Sequence, residues 1–426
     1  MLKGLVLDTL GAAIAASTLG DCCNQVAQLV RANPGSHEAT VLGYGERASS
    51  LLAAFANGAL AHALNYDALG AAGGHTGVAA VVAPLAMAER KGRVSGREFL
   101  AAVAVAAEFT ARLAGALSAA GVDANEKFLE GQLLSYLGAA GGAGRILRFP
   151  PERMHSVLGL ALMQSAGTRQ VSFEGGAAKA IYGGFANQGA VLAALLAEQG
   201  IDARCAVLEG RAGLYSLFYG GKYDASFLQD RLGERFHAAD TAFKPWPTSG
   251  ILHPFIRACL ELRQKAGAAP IESVRVKVPP EARAWIEPAE ERRRPHNAAT
   301  AANSLFFAVA KALLNANVTL GDFTPQGLAQ PEALALAASV ACSLDQRAAV
   351  EITLRGGAVL KAPAVGELGP MNYDALAAKF RDCARHAVRP IAPGVLDEIV
   401  ERVANLERAE DVSTLPALLA GPKMAG

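Results

Sequence analysis

Apolar residues in the first 200 positions fall in long Ala-rich runs, broken by single glycines and containing few consecutive β-branched residues. Runs of that length and composition read as packed helices. The pattern predicts helices over Leu2 to Ala16, Ser50 to Leu64, Gly77 to Arg90, Gly96 to Leu117, Phe128 to Leu147, Pro151 to Ala166, Gly176 to Gln199 and Leu214 to Phe218. After Asp240 the character changes, because KPWPTSG places two prolines within four residues and cannot continue a regular helix. SVRVKV (273–278) alternates polar and apolar, and Val350 to Leu354 with Ala358 to Ala362 reads as a hairpin across Arg355 to Gly357. Helical patterns return at Ala299 to Leu314, Pro331 to Val340, Tyr373 to His386 and Pro393 to Leu406. The expected protein is mainly α. A large all-helical domain spans residues 1–240, a smaller α+β domain spans 241–390, and C-terminal helices over 391–426 return to the helical domain. No repeat period marks a solenoid.

Composition narrows the class. Hydrophobic residues make up 52% of the 426 positions and charged residues 19%, so a sizeable core is available and disorder is excluded. A formal net charge of +1 lacks the basic surplus that nucleic acid or an anionic membrane surface would require. Six cysteines show no C-x-x-C spacing, which gives neither a zinc knuckle nor a disulfide framework. Asp8 interrupts the opening apolar run, so a buried first helix is expected in place of a signal peptide. FLAAVAVAA is closed by Glu98 and Glu108, and no stretch is expected to supply the roughly 18 apolar residues of a membrane span. The expectation is a cytoplasmic protein without nucleic-acid or membrane partners.

Three stretches carry candidate chemistry. In AAFANGALAHALNYDALGAAGGHTGVAAVVAP a helix ends at Asn65, Tyr66 and Asp67, and a Gly-rich loop delivers His75 to the next helix start, where unpaired backbone N–H groups favour an anion. His62, in an alanine helix, reads as a packing residue. In QVSFEGGAAKAIYGGFANQG, Lys179 lies in an apolar, Gly-flanked segment, and a buried lysine needs an anionic partner or a shifted pKa. FKPWPTSGILHP brings Lys244, Ser249 and His253 to the domain boundary, a common place for a ligand. Each lysine taken singly serves equally well as a structural ion-pair partner. Two lysines and a histidine together suit a carboxylate substrate. The chain has no G-x-x-x-x-G-K-[ST], G-x-S-x-G or H-E-x-x-H motif, and GAAGGAG (138–144) lacks the preceding strand of a dinucleotide site, so neither metal nor coenzyme is expected.

LVLDTLGAAIAAS, AAFANGALAHALNYD, the following HTG, GAAGGAGRIL, the block around Lys179 and FKPWPTSGILHP occur in an order that resembles the MmgE/PrpD family. That family includes 2-methylcitrate dehydratases, cis-aconitate decarboxylase and iminodisuccinate epimerase. The resemblance implies a homodimer, a large helical domain, a smaller α+β lid and a small carboxylate as substrate; this sequence departs from the family in opening on the LDTLG segment, where the family usually has a further helix ahead of that motif. It puts the catalytic histidine on His75 and the active-site lysines on Lys179 and Lys244. Of the lyases' D-[FY]-D-D-T run, the first Asp falls on Asn65, the second is kept as Asp67, the third falls on Ala68 and the Thr on Leu69. A second family histidine falls on Leu129 or its neighbour Glu130, others on Tyr182 and Ser249, and a lid tyrosine on Phe307.

The replaced residues are candidates for the general acid that elimination needs. His75 as base and two lysines as charge stabilisers remain, with Tyr136 or Tyr182 available as a second proton donor. This set suits a cofactor-free enzyme that removes an α-proton from a di- or tricarboxylate, as an epimerase or isomerase or as a divergent lyase. The alternatives are a 2-methylcitrate dehydratase-type lyase and a family member that binds carboxylates without turnover.

Overall fold

A computed structural model of the chain describes residues 1–366, 368 and 371–421. It is mostly helical, with a small mixed sheet. The main helices are α1 (Leu2–Leu19), α2 (Cys23–Ala32), α3 (Ser50–Ala63), α4 (Thr76–Lys91), α5 (Gly96–Ala119), α6 (Glu130–Ile146), α7 (Pro151–Gln164), α8 (Tyr182–Glu198), α9 (Leu214–Tyr219), α10 (His253–Ala266), α11 (Leu305–Asn315), α12 (Pro331–Ser339), α13 (Tyr373–Ala384) and α14 (Pro393–Ala404). The strands are β1 (Ala39–Thr40), β2 (Arg47–Ala48), β3 (Ile271–Val278), β4 (Ala341–Leu344), β5 (Ala349–Leu354) and β6 (Val359–Pro363). Two compact units result. The first takes Met1–Ala63, Asp67–Phe243 and Pro370–Gly426, and the second takes Leu64–Tyr66 with Lys244–Gly369.

In the first unit α1 is buried continuously from Gly4 to Ser17, which is why its sequence is apolar on every side. Its one carboxylate, Asp8, is neutralised by Lys379 of α13 at 2.7 Å, both buried. An unpaired charge at that depth would cost several kcal/mol, roughly. Helices α3 and α8 cross at bare backbone. A Cβ on Gly183 would stand 2.6 Å from the Gly58 carbonyl oxygen, and one on Gly58 would strike the Gly183 carbonyl. The GAAGGAG glycines are used in the same way, Gly138 against Thr110 of α5 and Gly142 against Pro84 of α4. Helix α2 is an addition to the elements expected from the sequence, although its buried Cys23, Val26, Ala27 and Val30 recur at i, i+3, i+4 and i+7, the spacing of one helix face.

Among the described residues, three helical segments satisfy the length and hydropathy of a membrane span, Leu2–Leu19, Gly96–Ala119 and Ala177–Glu198. This corrects the sequence expectation, which required an unbroken apolar run and let single charges disqualify a segment. Burial accounts for their composition, since 78, 61 and 67% of the respective windows lie inside the protein.

In the second unit the sheet order is β4-β3-β5-β6. Strands β5 and β6 form a hairpin joined by Arg355 to Ala358, one residue longer than the expected turn, with Gly356 and Gly357 at φ 111° and 88°, where a Cβ would be strained. Strand β4 runs parallel to β3 at the edge and is mostly exposed, so it lacks the alternation that would have revealed it. Val274, Val276, Val278, Val350 and Ile352 face a core completed by Phe255 and Cys259 of α10 and Phe306 and Phe307 of α11. The helix expected over Ala299 to Leu314 is two pieces, because Ser304 caps α11 by accepting a hydrogen bond from Phe307 N at 3.1 Å.

Candidate active site

The first unit gathers its chemistry where α3 ends, α4 begins and α8 begins. Gly58 and His62 are one turn apart on the same face of α3, and Gly183 follows Tyr182 at the start of α8. The glycine crossing therefore brings the His62 and Tyr182 rings to a centroid distance of 4.0 Å. Beyond α3, a two-way backbone pairing of Leu69 with Ala242, each bond 2.9 Å, fixes the segment that carries Asp67. Gly73 and Gly74 then take φ values of 100° and 77°, which only glycine adopts freely, and the chain turns to place His75 at the N-cap of α4.

The result is a buried carboxylate between two imidazoles. His75 Nδ1 stands 2.6 Å from Asp67 Oδ2, and His62 Nδ1 stands 3.4 Å from Asp67 Oδ1. Asp67 is fully buried, and His75 keeps 14% of its side chain exposed. Lys179 lies in a 3-10 turn, Ala177–Ile181, where the sequence pattern predicts continuous helix, and its Nζ is 3.3 Å from His62 Nε2. The His62 and His75 rings meet edge to face at 4.3 Å. His62, read from the sequence as a packing residue, thus stands at the centre of the cluster.

Electrostatics assigns charges to these groups. Burial would push the Asp67 carboxyl upward, but His75 and His62 outweigh it and hold the group well below the usual carboxylate range. Burial first, then the positive fields of His75 and Lys179, drive His62 well below the ordinary histidine value despite Asp67. His62 is therefore neutral, accepts at Nε2 from the Lys179 ammonium, and turns its Nδ1–H toward Asp67. Asp67 likewise holds the proton of His75 on Nδ1, which leaves the basic lone pair on Nε2.

Glu130 and Tyr182 border the cluster. Glu130 opens α6 almost fully buried, with Oε2 accepting from Asn125 Nδ2 at 2.9 Å and its carboxylate against Gly73. Burial raises it to about 7, although the Asn125 hydrogen bond opposes the rise. Tyr136 is set apart, its ring resting on Gly189 about two turns along α8 from Tyr182. The remaining sequence candidates belong to the second unit. There Lys244 is buried and donates to both the carbonyl and Oδ1 of Asn65 at 2.9 Å, Asn65 being held at φ 51°. Ser249 N donates to Ala302 O, His253 is buried with its ring 5.2 Å from that of Trp246, and Phe307 is sealed in the core against Phe323.

His62, Asp67 and His75 bring potential ligand atoms within 4.8 Å of one another, so a metal is a fair question. The geometry is that of a proton. A 2.6 Å N···O separation is a charge-assisted hydrogen bond, with no room for an ion about 2.0–2.2 Å from each atom at tetrahedral angles. The Lys179 ammonium beside His62 adds repulsion to any cation there.

The model of the MmgE/PrpD N-terminal domain matches residues 1–226, and that of the C-terminal domain matches residues 246–404. The chain belongs to the MmgE/PrpD family. Within it, the chain is 25% identical over 420 residues to cis-aconitate decarboxylase of Aspergillus terreus, covering 90% of this chain and 84% of that one. It is 24% identical over 454 residues to cis-aconitate decarboxylase of Homo sapiens, covering 99% and 90%. A cis-aconitate decarboxylase-like protein of Aspergillus oryzae, oryM, is 24% identical over 416 residues, covering 90% and 85%. These family relatives are lyases by name, which supports an enzyme of the lyase kind.

Proposed function

We propose that the protein is a cofactor-independent enzyme that removes an α-proton from a di- or tricarboxylate, with His75 as the general base. The observation that carries this reading is the Asp67–His75 contact, in which a fully buried carboxylate orients a partly exposed imidazole. Such a carboxylate fixes the tautomer and stabilises the imidazolium formed when Nε2 takes a proton. Lys179, tied to the same cluster through His62, supplies positive charge for the electron pair left on the substrate.

Two fates are open to that electron pair. Reprotonation gives an epimerase or isomerase and expulsion of a leaving group gives a lyase, whereas decarboxylation, the other lyase route, frees its own electron pair from the C–C bond and needs a proton donor to that carbon. The names of the relatives favour the lyase. The residues favour reprotonation, because Asn65 is engaged by Lys244, Phe307 is sealed in a core, and neither amide nor phenyl can protonate a departing hydroxide. The test is incubation in D₂O with citrate, 2-methylcitrate, cis-aconitate and the stereoisomers of amino- and iminodisuccinate, followed by proton NMR. Deuterium entering the α-carbon faster than alkene or CO₂ appears is the expected result. Rapid alkene formation from a citrate, or CO₂ from cis-aconitate, would establish the lyase. No exchange and no product with any compound would leave a carboxylate-binding protein without turnover.

A further inference from the structure

Tyr182 is 4% exposed, and among the described residues its hydroxyl makes no hydrogen bond. The hydroxyl oxygen is not among the sealed, unpartnered side-chain atoms of the described residues, so it keeps access to the space beside it. The hydroxyl is directed at Gly131, in the first turn of α6. A Cβ at position 131 would stand 2.5 Å from the Tyr182 hydroxyl oxygen and 2.8 Å from His75 Cδ2, the ring carbon bonded to Nε2. Hydroxyl and base edge therefore close on one small space, and they do so because residue 131 has no side chain.

The surroundings decide what the hydroxyl can do. The His62 ring packs 4.0 Å away, and Lys179 Nζ lies 5.6 Å from the phenol ring centre. Burial, then the negative charges of Asp67 and Glu130, hold the phenol well above its ordinary range, so it keeps its proton throughout catalysis. A phenol that resists ionisation is a poor proton donor to carbon and a good fixed dipole toward charge that develops in a transition state.

We propose that Tyr182 is the oxyanion donor of the His75 reaction. As His75 Nε2 takes the α-proton, the C–H electron pair moves into the adjacent carboxylate. The Tyr182 hydroxyl hydrogen-bonds the oxygen that gains this charge and retains its own proton. The role rests on the reading of His75 as base, and it adds a residue that acts only once charge has formed.

The variant Tyr182→Phe removes the hydroxyl and keeps the ring on His62. Expected is a fall of about 10²- to 10³-fold in kcat for deuterium exchange, with KM and melting temperature little changed. A second measurement uses 3-nitropropionate, whose nitronate form mimics the charged intermediate, against succinate, which does not. The variant should lose nitronate affinity by the same factor as kcat and bind succinate as wild type does. Unchanged exchange and nitronate binding in the variant would overturn the role of Tyr182 alone. Retained exchange with lost inversion or elimination would overturn it in favour of proton donation. Wild-type protein that neither exchanges nor binds the nitronate would overturn the His75 reading itself, and this role with it.

Discussion

Asp67 and His75 are eight positions apart, yet their side chains meet at 2.6 Å because Gly73 and Gly74 fold the intervening loop back in left-handed backbone. Asp67 acts through His75 and is a positioning residue, so its loss should act on kcat more than on KM. Asp67→Asn should lower the rate of α-proton exchange by about 10²- to 10⁴-fold, since an amide can hold the wrong imidazole tautomer. His75→Gln should abolish exchange while the fold survives, because the residue sits at a helix start and is partly exposed. An exchange-competent His75 variant with an unchanged pH profile would take the histidine out of the mechanism.

Lys179 bears on both substrate and cluster. Lys179→Met should weaken binding of a carboxylate by about 1.5 to 3 kcal/mol if the ammonium makes a charge-assisted contact. Removing that cation should also raise the His62 pKa, because Lys179 is one of the charges that depress it. Imidazole NMR titration reads the second effect independently of turnover. A variant that shifts neither ligand affinity nor His62 would leave Lys179 a packing residue.

Much of this site was legible in the sequence because its chemistry is clustered locally. The run from His62 to His75 holds two imidazoles and a carboxylate within fourteen positions, and the glycines announce the turn between Asp67 and His75. What stayed hidden depends on distant backbone. His62 reads as packing until Gly58 and Gly183 are seen to touch, and that contact joins residues far apart in the chain. Lys179 reads as helical until Gly175 and Gly176 precede a 3-10 turn. Among the strands, β3 and the β5–β6 hairpin follow from alternation, while β4 pairs along an exposed edge that imposes no pattern.

Glu130 should make stability fall as pH rises. Its folded pKa of about 7 exceeds the ordinary 4.5, so the folded state prefers the neutral acid. Its contribution is complete below about pH 4.5 and is lost as pH climbs through 7. Glu130→Gln keeps the neutral shape at every pH. The stability of wild type relative to this variant should therefore drop by up to about 3 kcal/mol between pH 4.5 and 8, measured by urea unfolding. Glu89, also raised to about 7 by burial near Thr40 and Arg47, shifts both proteins alike and cancels in the difference. A difference that is flat with pH would place the Glu130 carboxyl in a wetter setting.

Chelation should leave the reaction intact. The Asp67–His75 hydrogen bond and the nearby Lys179 ammonium fill the space that an ion would need. Exchange measured after dialysis against a strong chelator should equal that of untreated protein, and added Zn²⁺ should inhibit if it competes for His62 and His75. Activity lost on chelation and restored by one equivalent of metal would reverse the assignment.

The α3–α8 crossing offers a test of how the cluster is held. Gly58 and Gly183 each sit where a methyl group would run into the other's carbonyl, and neither can relieve the collision by turning a side chain. Gly58→Ala must therefore push the helices apart, because backbone is the atom in the way. Overpacking of this kind typically costs about 1–3 kcal/mol. His62 and Tyr182 stand directly on the two sides of the crossing, so a displacement of a few tenths of an ångström there moves the ring pair as well as the core. Gly58→Ala should lower the melting temperature and kcat together. Gly142→Ala, in the α4–α6 contact, should lower the melting temperature with a smaller loss of kcat, since Gly142 packs on Pro84 and Ala106, away from the imidazoles. Equal losses of kcat per degree of melting temperature in the two variants would mean that catalysis follows global stability and that the crossing has no special hold on the site.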